Sequence, residues 1–217
     1  PYVTDADKEY EFVLQWGEAT STGDPEGDVI AASEKIPSRE EILAVLPSFI
    51  GRIEQIPPVY SAIKINGQRA YTLARKGEAV EMPSRMVEIY ALELLEELSG
   101  NRAKFRASCS KGTYVRTLCH DLGRALGCGG CMSSLRRTRA GSFALSQAVT
   151  MQQVLEFAAE HDPQQLLMPV DAVFSAHPPL IVTMGQAAKL KNGAQVKDWQ
   201  FSFGTYRVYA EDGEFLL

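Results

Sequence analysis

The sequence predicts an α+β fold, because long strands are mixed with separate helices rather than arranged as a doubly wound sheet. Apolar and polar residues alternate between Tyr10 and Trp16, which is the period-two pattern of a half-buried strand. Two longer strand candidates, Met86–Leu95 and Arg102–Ser110, are separated only by Ser99-Gly100-Asn101. At 217 residues the chain can form one large domain, or one domain with a small appendage.

The first strand is followed by Thr20–Val29, a segment rich in turn-forming residues. Ser38 and Glu41 then form a capping-box pattern, which predicts the start of a helix. The apolar side of this helix is expected to consist of Ile42, Leu43, Leu46 and Phe49.

The segment Gln55–Tyr71 is predicted to be a strand flanked by a projecting loop. It contains Pro and Gly, and no acidic residue occurs before Glu78. The loop is therefore expected to be basic, with the cations Lys64, Arg69, Arg75 and Lys76.

Two helices are predicted in the second half of the chain. The first follows a Lys-Gly-Thr turn at residues 111–113 and ends at Gly127. The second begins after Thr150, which forms another capping-box pattern with Gln153. Apolar residues recur at helical spacing in the first of them, at Val115, Leu118, Leu122 and Leu126.

His177-Pro178-Pro179 is the predicted domain boundary, because two prolines exclude helix across the junction. The domains are thus expected to be residues 1–177 and 178–217. The second is predicted to contain a short strand, a helix ending at Asn192-Gly193, and aromatic-rich strands near Phe201 to Tyr209.

Positive charge is concentrated between Asn101 and Ala140. This segment has nine Lys and Arg and one acid, Asp121, so the remainder of a chain of net charge -5 carries about -13. A basic surface on an otherwise acidic protein is expected to bind a polyanion. No apolar run approaches the ~20 residues that span a bilayer.

Tyr114 and Arg116 follow the Lys-Gly-Thr turn and would project to the same side if the segment were extended. An aromatic beside an arginine suits an unstacked base. Arg116 could hold a carboxylate through a bidentate pair or contact phosphate. Leu135-Arg136-Arg137 is either a surface turn or a set of phosphate contacts. Tyr10, by residue statistics alone, is a core aromatic.

The four cysteines all lie in the basic segment, and Cys128 and Cys131 have C-x-x-C spacing. A zinc site lacks a second matching pair, so reduced thiols are the preferred interpretation. No Walker A, dinucleotide-binding, H-x-E or G-x-S-x-G motif is present. The residues alone therefore indicate an RNA-binding protein without an identifiable nucleophile.

Several segments resemble the TruB-type tRNA pseudouridine synthases, the family that modifies the T-loop uridine. The longest match is Gln55–Tyr71, and order and spacing agree from Lys8 to about Phe174. The other matching segments are Lys8-Glu9-Tyr10, residues 22–27, residues 109–118, His120-Asp121-Leu122-Gly123 and Leu135-Arg136-Arg137-Thr138.

The resemblance implies a mixed, mainly antiparallel sheet in residues 1–177 and a small PUA-like RNA-binding module in residues 178–217. It also implies cleavage of the uridine N-glycosidic bond, rotation of the base and reattachment through C5. Neither a cofactor nor a metal is used, and the base must be flipped out of the loop.

The same resemblance gives roles to individual residues. Tyr10 stacks on the uracil and is linked to proton abstraction, and Arg116 pairs with the catalytic aspartate. The substrate-binding residues are Tyr114 as a second pocket tyrosine, Leu135 as an apolar wall, and Lys64 and Arg69 as phosphate contacts. Arg136 and Arg137 are added to the phosphate contacts from the residue pattern alone, since they follow a Gly-Gly hinge.

The nucleophile of the family is an Asp in a Gly-Thr-Leu-Asp-Pro-type motif upstream of the Lys-x-Tyr strand, and these 217 residues contain no such motif. Neither Asp24 nor Asp121 has that context. Truncation is the expected reason, because Tyr10, Tyr114 and Arg116 are retained. These 217 residues alone are therefore expected to be inactive.

The expected partner is the T-arm stem-loop of tRNA, bound by a cytoplasmic monomer that needs no membrane and no metal. One alternative is a non-catalytic RNA-binding or tRNA-folding protein on the same scaffold. Another is a zinc-dependent RNA-processing factor that uses Cys128 and Cys131.

Overall fold

The computed structural model describes residues 2–196 and 201–217. They form two compact units, one of residues 3–141 and one of residues 142–217 together with Tyr2. The predicted boundary near His177 and the PUA-like character of the last residues stay predictions.

Strands and helices occur along the chain without a repeating order. The strands are β1 (Lys8–Trp16), β2 (Glu18–Thr20), β3 (Val29–Ala32), β4 (Gly51–Gln55), β5 (Lys64–Ile65), β6 (Gln68–Arg69), β7 (Arg85–Leu98), β8 (Arg102–Cys109), β9 (Gly130–Ala140), β10 (Phe143–Ala144), β11 (Pro179–Val182) and β12 (Arg207–Ala210). The helices are α1 (Tyr2–Asp5), α2 (Arg39–Val45), α3 (Ala70–Arg75), α4 (Val115–Ala125), α5 (Met151–Glu160) and α6 (Met184–Lys191).

The first unit is built on an antiparallel sheet whose strand order is β9-β1-β8-β7-β4. The predicted α+β class with a mainly antiparallel sheet is therefore confirmed, and so are the strands predicted at Tyr10–Trp16, Met86–Leu95 and Arg102–Ser110. The prediction missed β9. Residues 135–139 belong to this strand and form no surface turn.

One face of the sheet forms the core of the first unit. Phe12, Leu14 and Trp16 alternate with more exposed residues along β1 and are almost fully buried. The Phe12 ring stacks on Phe105 of β8 at a centroid distance of 5.5 Å. Side chains of α2 and α4 complete the core, among them Ile42, Val115, Leu118 and Leu122.

The opposite face of the sheet is polar and carries ion pairs. Glu11 accepts from Lys104 at 2.8 Å and from Arg106 at 3.4 Å, and Arg106 also lies 3.5 Å from Glu93. The hydrogen bond from Lys104 lowers the pKa of Glu11, with help from Arg106. Acids from outside the basic segment thus neutralise part of its charge.

The prediction that the basic segment forms one surface is wrong, because its charges lie on both sides of the sheet. Lys104 and Arg106 lie on the polar face of the sheet, whereas α4, which carries Arg116 and Arg124, packs on the opposite face. Basic residues that are close in sequence are therefore divided between the polar face of the sheet and the helix that covers its other face.

Helix α4 approaches the sheet closely at Gly123. A Cβ atom on Gly123 would lie 2.3 Å from both Gly129 C and Gly130 N. Because those atoms belong to backbone, they cannot move aside as the end of a side chain can. Gly123 therefore sets the distance between α4 and the start of β9.

The capping boxes predicted from sequence are present. Ser38 and Glu41 cap α2, and Thr150 and Gln153 cap α5. The predicted apolar side of α2 is wrong in one residue: Leu43 is 45% exposed, whereas Ile42 and Leu46 are buried.

The second unit contains a small β-α-β element. Strands β11 and β12 are parallel, and α6 lies between them in the sequence. Ala187 of α6 packs in a small core with residues of the two strands: Leu180, Val182, Val208 and Ala210. The predicted helix ending at Asn192 is confirmed. Of the strands predicted near Phe201 to Tyr209, β12 is confirmed, whereas residues 201–206 form no strand and residues 197–200 lie outside the described part of the chain.

None of the helices in residues 2–196 and 201–217 has the length and apolar composition needed to cross a membrane.

We expect Gly123→Ala to lower the free energy of unfolding by about 1–3 kcal/mol, the usual cost of overpacking, because the added methyl meets backbone. Arg124→Ala on the same helix is the control, since its side chain is 76% exposed and forms an ion pair with Asp121 of the same helix. Urea denaturation of the chain measures both. Equal stability of the two variants would contradict the close approach.

Candidate functional site

The start of α4 is held by a buried glutamine. Tyr114 occupies the N-cap position, where its own side chain forms no capping hydrogen bond. Gln55, at the end of β4, is 1% exposed. Its Oε1 accepts from the Tyr114 N–H at 3.0 Å, and its Nε2 donates to the Tyr114 carbonyl at 3.3 Å. The Gln55 amide thus holds both backbone polar groups of Tyr114, the residue that precedes the helix.

Arg116 lies in the first turn of α4 and joins two loops to it. Nη1 donates to the Thr22 carbonyl at 3.1 Å and to Asp24 Oδ2 at 3.3 Å, and Nη2 donates to the Tyr60 carbonyl at 2.7 Å. The side chain is 22% exposed. Its guanidinium therefore acts as a cross-link between residues 22–24 and Tyr60.

Two neighbours support this cross-link. Thr117 Oγ1 donates to the Ile56 carbonyl at 3.2 Å. Gly23, at φ +77°, lies so close that a Cβ there would be 3.3 Å from the Arg116 Cβ. Glycine suits this position both because of its positive φ and because of the limited space.

The expectation that Tyr114 and Arg116 share a side required an extended segment. The segment is not extended, because α4 begins at Val115. The turn before it is confirmed: Gly112 has φ +81°, and Thr113 Oγ1 donates to the Ser110 carbonyl at 3.0 Å.

A cleft of about 700 Å³ opens beside the first turn of α4. Arg116, His120 and Arg124 line one side, and the loop that begins with Ile56 lines another. Burial raises the pKa of Asp121 in this cleft, while the nearby Arg124 lowers it. Of the predicted site residues only Arg116 lines the cleft; Tyr10, Tyr114 and Leu135 do not.

Tyr10 lies on the core face of β1, partly buried against the hydrophobic core. The strand is fixed just before it, because the buried Lys8 donates to carbonyl groups of residues 3, 4 and 6. The pairing of β1 with β9 is irregular between Glu9 and Tyr10. Tyr10 is thus a core aromatic at the edge of the packed region.

Strand β9 places two further site residues beside Tyr10. Arg137 is the direct partner of Tyr10, and Leu135 that of Phe12. Directly opposed residues share a face of the sheet, so these side chains belong to the same face as Tyr10. Leu135 is 46% exposed. Arg136 is opposed to Glu11 and therefore belongs to the polar face.

Lys64 and Arg69 are paired on the β5–β6 hairpin, whose turn has positive φ at Asn66 and Gly67. Arg69 and Arg75 both lie over the Tyr71 ring, at 5.9 and 5.7 Å from its centroid. The hydrogen bond from Arg69, and then the charges of Arg69 and Arg75, lower the pKa of Tyr71. The predicted basic loop is therefore an exposed hairpin and helix.

All four cysteines are buried and free. Burial raises the pKa values of Cys119, Cys128 and Cys131, which disfavours the thiolate that a metal requires. Within residues 2–196 and 201–217, no group of three or more His, Cys, Asp or Glu side chains is arranged to hold a metal ion.

Sequence reasoning missed Gln55 and Thr117 as contributors to this region. Both lie in segments that match the family, but their hydrogen bonds join residues that are about sixty positions apart. The sequence held one signal for the role of Gln55: a polar amide side chain two residues before Pro57-Pro58, at the end of a strand.

Residues 1–115 match the family model of the TruB family pseudouridylate synthase N-terminal domain, and residues 116–175 match the tRNA pseudouridylate synthase B C-terminal domain. The chain belongs to the TruB family of pseudouridylate synthases. The resemblance seen in the sequence is thereby confirmed.

Two relatives in this family are named tRNA pseudouridine synthase B. The one from Rhizobium etli is 47% identical over 200 residues, which are 89% of this chain and 64% of the relative. The one from Pseudomonas putida strain F1 is 44% identical over 99% of this chain and 72% of the relative. The chain thus spans about two thirds of the length of these relatives.

The fold is also found in solved structures. A chain of a Cbf5-Nop10-Gar1 complex has a TM-score of 0.68 at 24% identity, with 99% of this chain and 59% of that one covered. A chain of an H/ACA RNP bound to a substrate RNA containing 2'-deoxyuridine has a TM-score of 0.68 at 20% identity, with 98% and 58% covered. At these identities the likeness concerns the fold.

We expect Arg116→Lys to release the two loops that Arg116 joins, because Lys lacks the planar fork that reaches three acceptors. Peptides covering Thr20–Asp28 and Ile56–Tyr60 should exchange amide hydrogen at least about fivefold faster, since hydrogen bonds to charged groups contribute about 1.5–3 kcal/mol. Exchange mass spectrometry measures this. Arg124→Lys is the control, and unchanged exchange in Arg116→Lys would refute the cross-link.

Proposed function

We propose that the natural protein containing these residues converts the T-loop uridine of tRNA to pseudouridine. The observation that carries the proposal is the family match over residues 1–175, with relatives named tRNA pseudouridine synthase B. The chain spans 64% of the first of these relatives, so the activity of the whole protein is part of the proposal.

The reaction is an isomerisation. The C1′–N1 bond breaks, the base turns, and a C1′–C5 bond forms while the proton of C5 is lost and N1 gains one. Atoms and electrons balance within the uridine, so no cofactor and no metal take part. The base must leave the stacked loop before this chemistry.

Tyr10 is proposed to stack on the flipped uracil and to serve in proton abstraction. Its position at the edge of the core supports this role, because the ring is anchored but not completely enclosed. Leu135 lies on the same face and is exposed enough to form an apolar wall. Tyr114 is proposed as the second tyrosine of the pocket.

Arg116 is proposed to orient the catalytic carboxylate rather than to bind phosphate. In support, its guanidinium already engages the Asp24 carboxylate and two backbone carbonyl groups. These contacts use three of the five guanidinium N–H donors, which leaves donors for a further carboxylate, the group that the planar fork of arginine typically binds.

The phosphate contacts are proposed to come from two places. Lys64 and Arg69 lie on the exposed β5–β6 hairpin. Arg136 and Arg137 are exposed on β9 but belong to opposite faces, so they would contact different parts of the RNA.

The expected setting of this activity is a cytoplasmic monomer that binds the T-arm stem-loop without a membrane. We also propose that the 217 residues are inactive alone, because they contain no Gly-Thr-Leu-Asp-Pro-type motif. A non-catalytic RNA-binding or tRNA-folding protein on the same scaffold is less favoured, since the relatives are named as synthases.

We expect the natural full-length protein to form pseudouridine in the T-loop of unmodified tRNA, detected by carbodiimide mapping and by nucleoside mass spectrometry. The 217-residue chain should bind the same RNA with steep salt dependence but form no product. Product formation by the 217-residue chain would contradict the claim that the nucleophile lies outside it.

Tyr10→Ala in the full-length protein tests whether Tyr10 belongs to the site. It should reduce the single-turnover rate and weaken the productive complex by about 1–3 kcal/mol, the contribution of base–aromatic stacking. RNA binding without product in the unaltered full-length protein would favour the non-catalytic alternative. Near-normal turnover in Tyr10→Ala would remove this residue from the site.

A further inference from the structure

Both polar atoms of the Gln55 side-chain amide form hydrogen bonds with a single residue, Tyr114. They bond to its backbone, at 3.0 and 3.3 Å, and Gln55 is 1% exposed. Burying an amide is costly unless its hydrogen bonds are made. An apolar side chain of similar volume would pack in the same space, so the amide is explained by the peptide that it holds.

The position of that peptide makes the contact significant. N-cap positions favour Ser, Thr, Asp or Asn, which bond to the first turn of the helix. Tyr114 occupies the N-cap of α4 and forms no such bond. Gln55 instead bonds, from a neighbouring strand, to the N–H and the carbonyl of Tyr114 itself, so the backbone of this tyrosine is fixed without a capping side chain.

Arg85 acts on the ring of the same tyrosine. It is the direct β-sheet partner of Gln55, and its guanidinium carbon lies 5.8 Å from the centroid of the Tyr114 ring. Its Nε is buried and has no hydrogen-bond partner among the described residues. A cation near an aromatic face is attracted by the ring quadrupole.

Gly112 lies beside this contact. A Cβ on Gly112 would lie 3.5 Å from Arg85 Nη1, an ordinary van der Waals distance, so space does not require glycine here. The residue has φ +81°, which glycine adopts without strain, so the bend of the backbone before α4 is what favours it.

We infer that Gln55 and Arg85 are positioning residues for Tyr114: Gln55 fixes its peptide, and Arg85 fixes its ring. The catalytic part of this inference rests on the proposed function, in which Tyr114 belongs to the uracil pocket. A ring that is already oriented accelerates the step after binding. RNA affinity depends mainly on phosphate contacts, so it should change little when the ring is released.

The first test needs no activity. Tyrosine ring carbons are labelled with ¹³C in the chain, and the Tyr114 signal is assigned from its loss in Tyr114→Phe. We expect Gln55→Glu and Arg85→Lys each to shift this signal toward that of an exposed tyrosine, while Glu54→Gln, the opposite exchange at the exposed neighbouring position, leaves it in place. An unchanged signal in both variants would overturn the inference.

The second test uses the full-length protein and a T-arm stem-loop. Gln55→Glu should lower the single-turnover rate at saturating enzyme at least about tenfold at pH 8, with the Kd for RNA within about twofold. An ionised carboxylate can accept from the Tyr114 N–H but cannot donate to its carbonyl. The rate relative to the unaltered protein should recover at lower pH, when the introduced carboxyl is protonated and can donate.

A shifted ring signal with an unchanged rate would overturn the catalytic part of the inference. If the unaltered full-length protein forms no pseudouridine while the ring signal still shifts, the proposed function fails and the structural positioning stands. Gln55→Met, which keeps an unbranched side chain without hydrogen bonds, replaces Gln55→Glu if that variant does not fold, and the same shift and rate loss are expected from it.

Discussion

The first turn of α4 is the connection on which the functional region depends. Gln55, the last residue of β4, bonds to the backbone of Tyr114 at the start of this turn. Thr117 connects the turn to Ile56, and Arg116 connects it to residues 22–24 and to Tyr60. Neither residues 22–24 nor residues 56–60 belong to a helix or strand, so no regular backbone ladder holds them. Their shared partners in one rigid helical turn are therefore what keep them in place.

The sheet supports that turn through a division between its two faces. The core face carries Phe12 and Phe105, and helix α4 packs on it at a distance that Gly123 permits. The polar face is stabilised by pairs such as Glu11 with Lys104. The basic segment therefore contributes to folding as well as to the proposed RNA contacts, and a count of its charges overstates the surface it offers to a polyanion.

Local signals in the sequence were sufficient for much of the fold. Alternation predicted β1, and the Ser38 and Thr150 patterns predicted their helices, because these depend on neighbouring residues. Strand β9 was missed because its arginines hide the alternation, and Leu43 was misplaced because helical spacing does not show which side faces the sheet. The roles of Gln55 and of Asp24 beside Arg116 depend on distant residues, which local patterns cannot show.

The central claim is that the loops and the start of α4 form one cooperative connection. A double-mutant cycle of Gln55→Met and Arg116→Lys, measured as free energies of unfolding in urea, tests it most directly. Residues that share a network typically show coupling of about 0.5–3 kcal/mol, whereas independent sites add. We expect coupling of at least about 0.5 kcal/mol, and strictly additive effects of the two substitutions would contradict the account.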